Sequence, residues 1–74
     1  MAKKGTRQFP FEHAVVPSHA ASLRACMLAA TDLCGEQEEN WTTRWAEDGS
    51  VVFCFDSEAC RDAFKAYLSI AHIQ

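Results

Sequence analysis

The chain has 74 residues, enough for one small domain. At that length only about 60% of the unfolded surface can be buried, so stability is marginal without help such as association. Apolar residues make up 49% of it, with few Gly and Pro, which is a globular and not a disordered composition. The formal charge is −3; Lys3, Lys4 and Arg7 hold three of the 7 basic side chains, so the remainder sets four against 10 acidic ones.

Residues 1–7, MAKKGTR, read as a flexible basic arm on a single acidic domain over 8–74. Residues 8–16, QFPFEHAVV, alternate, with Phe9, Phe11, His13 and Val15 on one face of a strand and Pro10, Glu12, Ala14 and Val16 on the other. Pro10 has no N–H for a ladder, so the strand belongs at an edge or begins there. Pro17 and Ser18 stop it and offer a cap for a helix over 18–34, where Leu23, Cys26, Met27, Ala30, Leu33 and Cys34 recur at helical spacing before Gly35.

After the polar loop EQEEN, the stretch NWTTRW alternates with period two, as does VVFCF beyond the turn, so the two form a hairpin. A two-residue Asp-Gly turn would mix polar and aromatic side chains on both faces. A three-residue loop, with Glu47 and Asp48 in type I conformation and Gly49 in a left-handed bulge, pairs Trp45 with Val51, Thr43 with Phe53 and Trp41 with Phe55. That register gathers Trp41, Trp45, Val51, Phe53 and Phe55 on one buried face and leaves Thr42, Arg44, Val52 and Cys54 on an open one. Asp56 or Ser57 then caps a second helix with the stripe Cys60, Ala63, Phe64, Tyr67, Leu68 and Ala71, reaching at least Ile70.

The fold expected from this order is α+β: β-α-β-β-α, a three-stranded antiparallel sheet with the third strand in the middle and both helices on one face. The arrangement resembles the split β-α-β topology of ferredoxin-like domains with the last strand missing. That likeness is of topology alone and implies no function. In such a fold the missing strand would lie beside the first, whose outer edge is left unpaired.

Candidate chemistry is sparse. Chain direction places His13, His19 and His72 near one end of the domain and Cys34, Cys54 and Cys60 near the other. Neither group has the close ligand pairs, C-x-x-C or H-x-x-x-H, of a zinc site. The thiols read as packed, inert groups. Cys60 in a first helical turn could have a favoured thiolate, but Asp56 and Glu58 oppose that and every histidine lies at the far end. The histidines read as surface and core-rim residues rather than a metal-binding or pH-sensing trio. No glycine-rich phosphate loop or paired carboxylate site is present, so the expectation is a non-enzyme with no metal and no cofactor.

An acidic body repels nucleic-acid phosphates and anionic membranes, and no apolar run approaches the about 20 residues of a membrane span. The lysines of the arm are not followed by the apolar middle of a secretory signal. The expected setting is therefore cytoplasmic and reducing, where the four cysteines stay as thiols. The leading expectation is a small acidic protein-binding module, an adaptor or inhibitor in type, working as a homodimer or on another protein through the edge residues Phe11, Glu12, His13, Ala14, Val15 and Val16. Small size and acidity also suit a phage or mobile-element protein. The alternatives are nucleic-acid binding through the arm and the open face around Arg44, though that face lacks stacking aromatics, and a small-molecule sensor with a site at a subunit junction.

Overall fold

The computed structural model describes residues 9–71, which form β1 (Phe11–Val15), α1 (Ala20–Cys34), β2 (Trp41–Trp45), β3 (Val51–Phe55) and α2 (Glu58–Ala71). The basic arm expected at 1–7 lies outside the described residues. β1 starts only after Pro10 and ends before Pro17, so the two prolines trim it from the expected 8–16 to Phe11–Val15. The sheet order is β1-β3-β2, with β3 antiparallel to both neighbours.

The hairpin has the expected register, Trp41 opposite Phe55, Thr43 opposite Phe53 and Trp45 opposite Val51. Gly49 donates its N–H to Ala46 O at 3.1 Å, Ala46 donates to Ser50 O at 2.9 Å, and Gly49 has φ +92°. The Asp48 carboxylate accepts from Ser50 N–H at 2.9 Å and from its hydroxyl at 2.7 Å, which closes the turn and holds the Asp48 carboxyl below the usual carboxylate range.

Odd-numbered strand residues face the helices. Val15, Trp41, Val51, Phe53 and Phe55 join Cys26, Ala29 and Ala30 of α1 and Phe64 and Leu68 of α2 in one core, so both helices lie on the same face of the sheet. Phe64 is its hub, with ring centroids 4.7 Å from Phe53 and 5.1 Å from Phe55, while Phe53 stacks on Trp41 at 5.7 Å. The Trp41 indole N–H donates to Gly35 O at 2.8 Å, which satisfies the polar end of a buried tryptophan.

Four details depart from the pattern read in the sequence. Trp45 shares the face of Trp41 but is 67% exposed, because it ends an edge strand where the packed layer has stopped. α1 starts at Ala20, not 18, and its cap is His19 rather than Ser18: Nδ1 accepts from Ser22 N–H at 3.3 Å, doing what a Ser or Asp oxygen does at other N-termini. Leu33, Tyr67, Ala63 and Ala71 are exposed, since three short strands cannot cover the full width of either helical stripe. Val52 and Cys54 are buried although they lie on the face away from the helices. Ser57 caps α2, its hydroxyl accepting from Cys60 N–H at 3.1 Å.

Candidate functional site

An antiparallel ladder alternates, each residue turning its N–H and C=O to one neighbour or the other. In the hairpin, Ala46 N–H meets Ser50 O and Asp56 N–H meets Asn40 O, so the even-numbered residues of β3 face β2. The odd-numbered ones therefore serve β1, where Val51, Phe53 and Phe55 pair with Val15, His13 and Phe11. Glu12 and Ala14 consequently point their main-chain groups outward, as does Val16 just beyond the strand. Among the described residues one of these outward groups has a protein contact: Arg61 Nη1 reaches Glu12 O at 3.5 Å, a long interaction.

Beside that edge lies an open groove of about 430 Å³ between β1 and α2. His13, Val15 and Val16 form one wall and Lys65, Leu68 and Ser69 the other, with Ala14 at the rim. Lys65 and Ser69 are one helical turn apart and Arg61 one turn before, so this flank of α2 runs along β1. His13 packs edge-on against Phe64 at 6.1 Å. Burial first, then the nearby positive charges of Lys65 and Arg61, hold its imidazole below the ordinary histidine range. Arg61 is itself engaged with Asp62 at 2.7 Å and Glu58 at 3.4 Å. The helix-side contributors Arg61, Lys65, Leu68 and Ser69 were missed in the sequence. Their signal was the i, i+4 row 61-65-69 beside the buried Phe64 and Leu68.

β2 is the sheet's other edge, and it is managed differently. The loop after α1 turns back so that Glu38, at φ +72°, donates its N–H to Trp41 O at 2.6 Å, and Gln37 bridges to Trp41. The start of that edge is thereby covered by the chain itself, and Thr42 Oγ1 fastens the loop by donating to Glu38 at 2.9 Å.

Thr42, Arg44, Val52 and Cys54 lie on the face away from the helices, and that face is roofed rather than open. Arg44 reaches across β3 to the Glu12 carboxylate at 3.0 Å, and the ion pair shelters the central strand beneath it. Of the expected histidine trio, His72 lies outside the described residues, His19 is spent on the α1 cap and His13 lines the groove. Among the cysteines, Cys34 and Cys60 come together at the junction of α1 and α2, where Cys34 Sγ donates to Cys60 O at 3.6 Å. Burial and the Cys60 thiol push Cys34 up to about 12. Cys54 stands on the opposite face, its thiol and that of Cys26 also raised, chiefly by burial. All four thiols are free, and no cluster of three metal-ligating side chains occurs among the described residues. No helix among them is long and apolar enough to cross a membrane.

Comparison with family models, with curated proteins and with solved structures finds no match for this chain. The geometry of the edge and groove therefore carries the functional argument alone.

Proposed function

We propose that this is a small non-catalytic protein-binding module, an adaptor or inhibitor in type, whose working surface is the free edge of β1. The observation that carries the reading is the run of outward main-chain groups at Glu12, Ala14 and Val16 with a side-chain groove beside it. Main-chain hydrogen bonds supply affinity in strand addition, and alternate side chains entering a groove supply specificity. The ferredoxin-like topology that this element order resembles has a fourth strand, which would lie beside β1. An added chain would occupy that strand's place. Burial there would also extend a core that is marginal at 74 residues. Free, packed thiols fit a reducing, cytoplasmic setting.

The nucleic-acid reading is weaker, since Arg44 is tied to Glu12 and, among the described residues, the face around it offers no exposed aromatic ring. The test is comparative capture from the expressing cells with the immobilised parent, Ala14→Pro and Arg44→Ala. Proteins held by the parent and Arg44→Ala but lost on Ala14→Pro support the reading. Capture that is lost on Arg44→Ala and kept on Ala14→Pro, or that nuclease removes, rejects it.

A further inference from the structure

We propose that the occupant of the β1 edge is a second copy of this chain, paired antiparallel with Ala14 on the two-fold axis. This rests on the strand-addition reading and names its partner. The usable edge is bounded by Pro10, which lacks an N–H at an outward position, and by Pro17. Between them the outward residues Glu12, Ala14 and Val16 are symmetric about Ala14, so the edge is complementary to itself, as an isologous contact requires.

Pairing Ala14 with Ala14 of the second copy sets Glu12 opposite Val16 in both directions and uses every outward group, for about six main-chain hydrogen bonds. Moving the axis to His13 or to Val15 leaves some of those groups unpaired, and moving it to Glu12 sets two carboxylates face to face. In the Ala14 register each Glu12 meets a valine, and the exposed methyl of Ala14 is the side chain at the axis.

The helices agree with this arrangement. α2 rests on β1 and β3. With strands about 4.8 Å apart, its axis stands roughly 5 Å from the two-fold, and the two α2 helices lie about 10 Å apart, the spacing of packed helices. One association event thus fills both grooves: each is closed by the Lys65, Leu68 and Ser69 flank of the other copy's helix. The product is a continuous six-stranded sheet carrying four helices on one face.

The experiment is sedimentation velocity on the full chain across micromolar to millimolar concentrations, joined to amide exchange at Ala14. The expected result is a dimer whose Ala14 amide is protected and loses protection on dilution. Ala14→Pro removes the central N–H and should yield a monomer. Ala14→Glu and Ala14→Lys put like charges on the axis at an exposed position, so each should weaken the dimer by about tenfold or more while keeping the fold, and mixing the two should restore a mixed dimer. That rescue holds even if the proline variant fails to fold. A dimer indifferent to Glu or Lys at position 14 overturns the proposal. So does a monomer with a freely exchanging Ala14 amide, which leaves addition of a different chain standing. A monomer whose Ala14 amide is protected at every concentration overturns both this proposal and the strand-addition reading.

Discussion

Two glycines with positive φ separate backbone cost from steric cost. Gly49 has φ +92°, and a Cβ built there meets nothing within 4 Å, so Gly49→Ala carries the backbone penalty alone, about 1 kcal/mol. Gly35 has φ +105° and ψ −161°, a region that belongs almost entirely to glycine and costs another residue about 1–3 kcal/mol. Its Cβ would also stand 2.9 Å from Asn40 Cγ and press on that amide's oxygen. Gly35 is the hinge that ends α1 by donating to Thr31 O at 3.0 Å and accepts the Trp41 indole N–H, so strain there is passed to the core. Gly35→Ala should therefore cost about 3 kcal/mol, a large share of the roughly 4–11 kcal/mol that a domain of this length has. Urea unfolding followed by tryptophan fluorescence at one fixed protein concentration reads both. With a slope of about 1 kcal/mol/M, the midpoint falls by about 1 M for Gly49→Ala and about 3 M for Gly35→Ala. Adding Asn40→Ala to Gly35→Ala should recover the steric share and leave the backbone share. A Gly49→Ala protein as stable as its parent, or one costlier than Gly35→Ala, would refute the assignment of these costs to positive φ.

Phe64→Ala should destabilise by about 3–5 kcal/mol, because it empties the centre of the packed rings, and calorimetry would expose the error if the melting temperature barely moved. His13 titrates below its ordinary value in the fold, so the unfolded chain binds the proton first. Stability is then complete above pH about 6.5 and falls as pH drops through 6.5 towards the folded value. Melts between about pH 7.5 and 5.5 should show a shallower loss for His13→Phe than for the parent, and equal slopes would contradict the burial argument. The thiols should bind no metal and need no disulfide: elemental analysis should find no stoichiometric zinc, and neither chelator nor reductant should lower the melting temperature.

The hairpin register was legible in the sequence because a one-residue slip would have turned Phe53 and Phe55 to solvent, and Asp48-Gly49 admits few turns. Trp45 was misread for the same reason that Trp41 was read correctly. Alternation tells which face a side chain takes, and only the length of the packed layer tells whether anything covers it. His19 as a helix cap was hidden because the neighbouring Ser18 is the commoner choice, and a histidine caps only when an unprotonated ring nitrogen happens to face the helix. The edge residues of β1 could be named from alternation and the prolines. The groove could not, because its second wall depends on where α2 lies across the sheet, and Arg61, Lys65 and Ser69 have no helical signature beyond a polar row.

The two edges of the sheet show why β1 is the informative one. An open strand edge recruits other chains unless something blunts it, and a short domain has few means of blunting. On β2 the protein tolerates a non-glycine residue at positive φ, Glu38, and so turns its own loop onto the Trp41 carbonyl. That conformation carries a backbone cost and brings covered edge in return. On β1 the only comparable device among the described residues is the long reach of Arg61 to Glu12 O, and none of those residues covers the outward groups of Ala14 and Val16 beside the groove. Among the described residues the strained Glu38 loop covers the start of β2, while Ala14 and Val16 of β1, beside a groove lined by Val15, Val16 and Leu68, have no such cover, and under the proposal above an added strand would complete that edge.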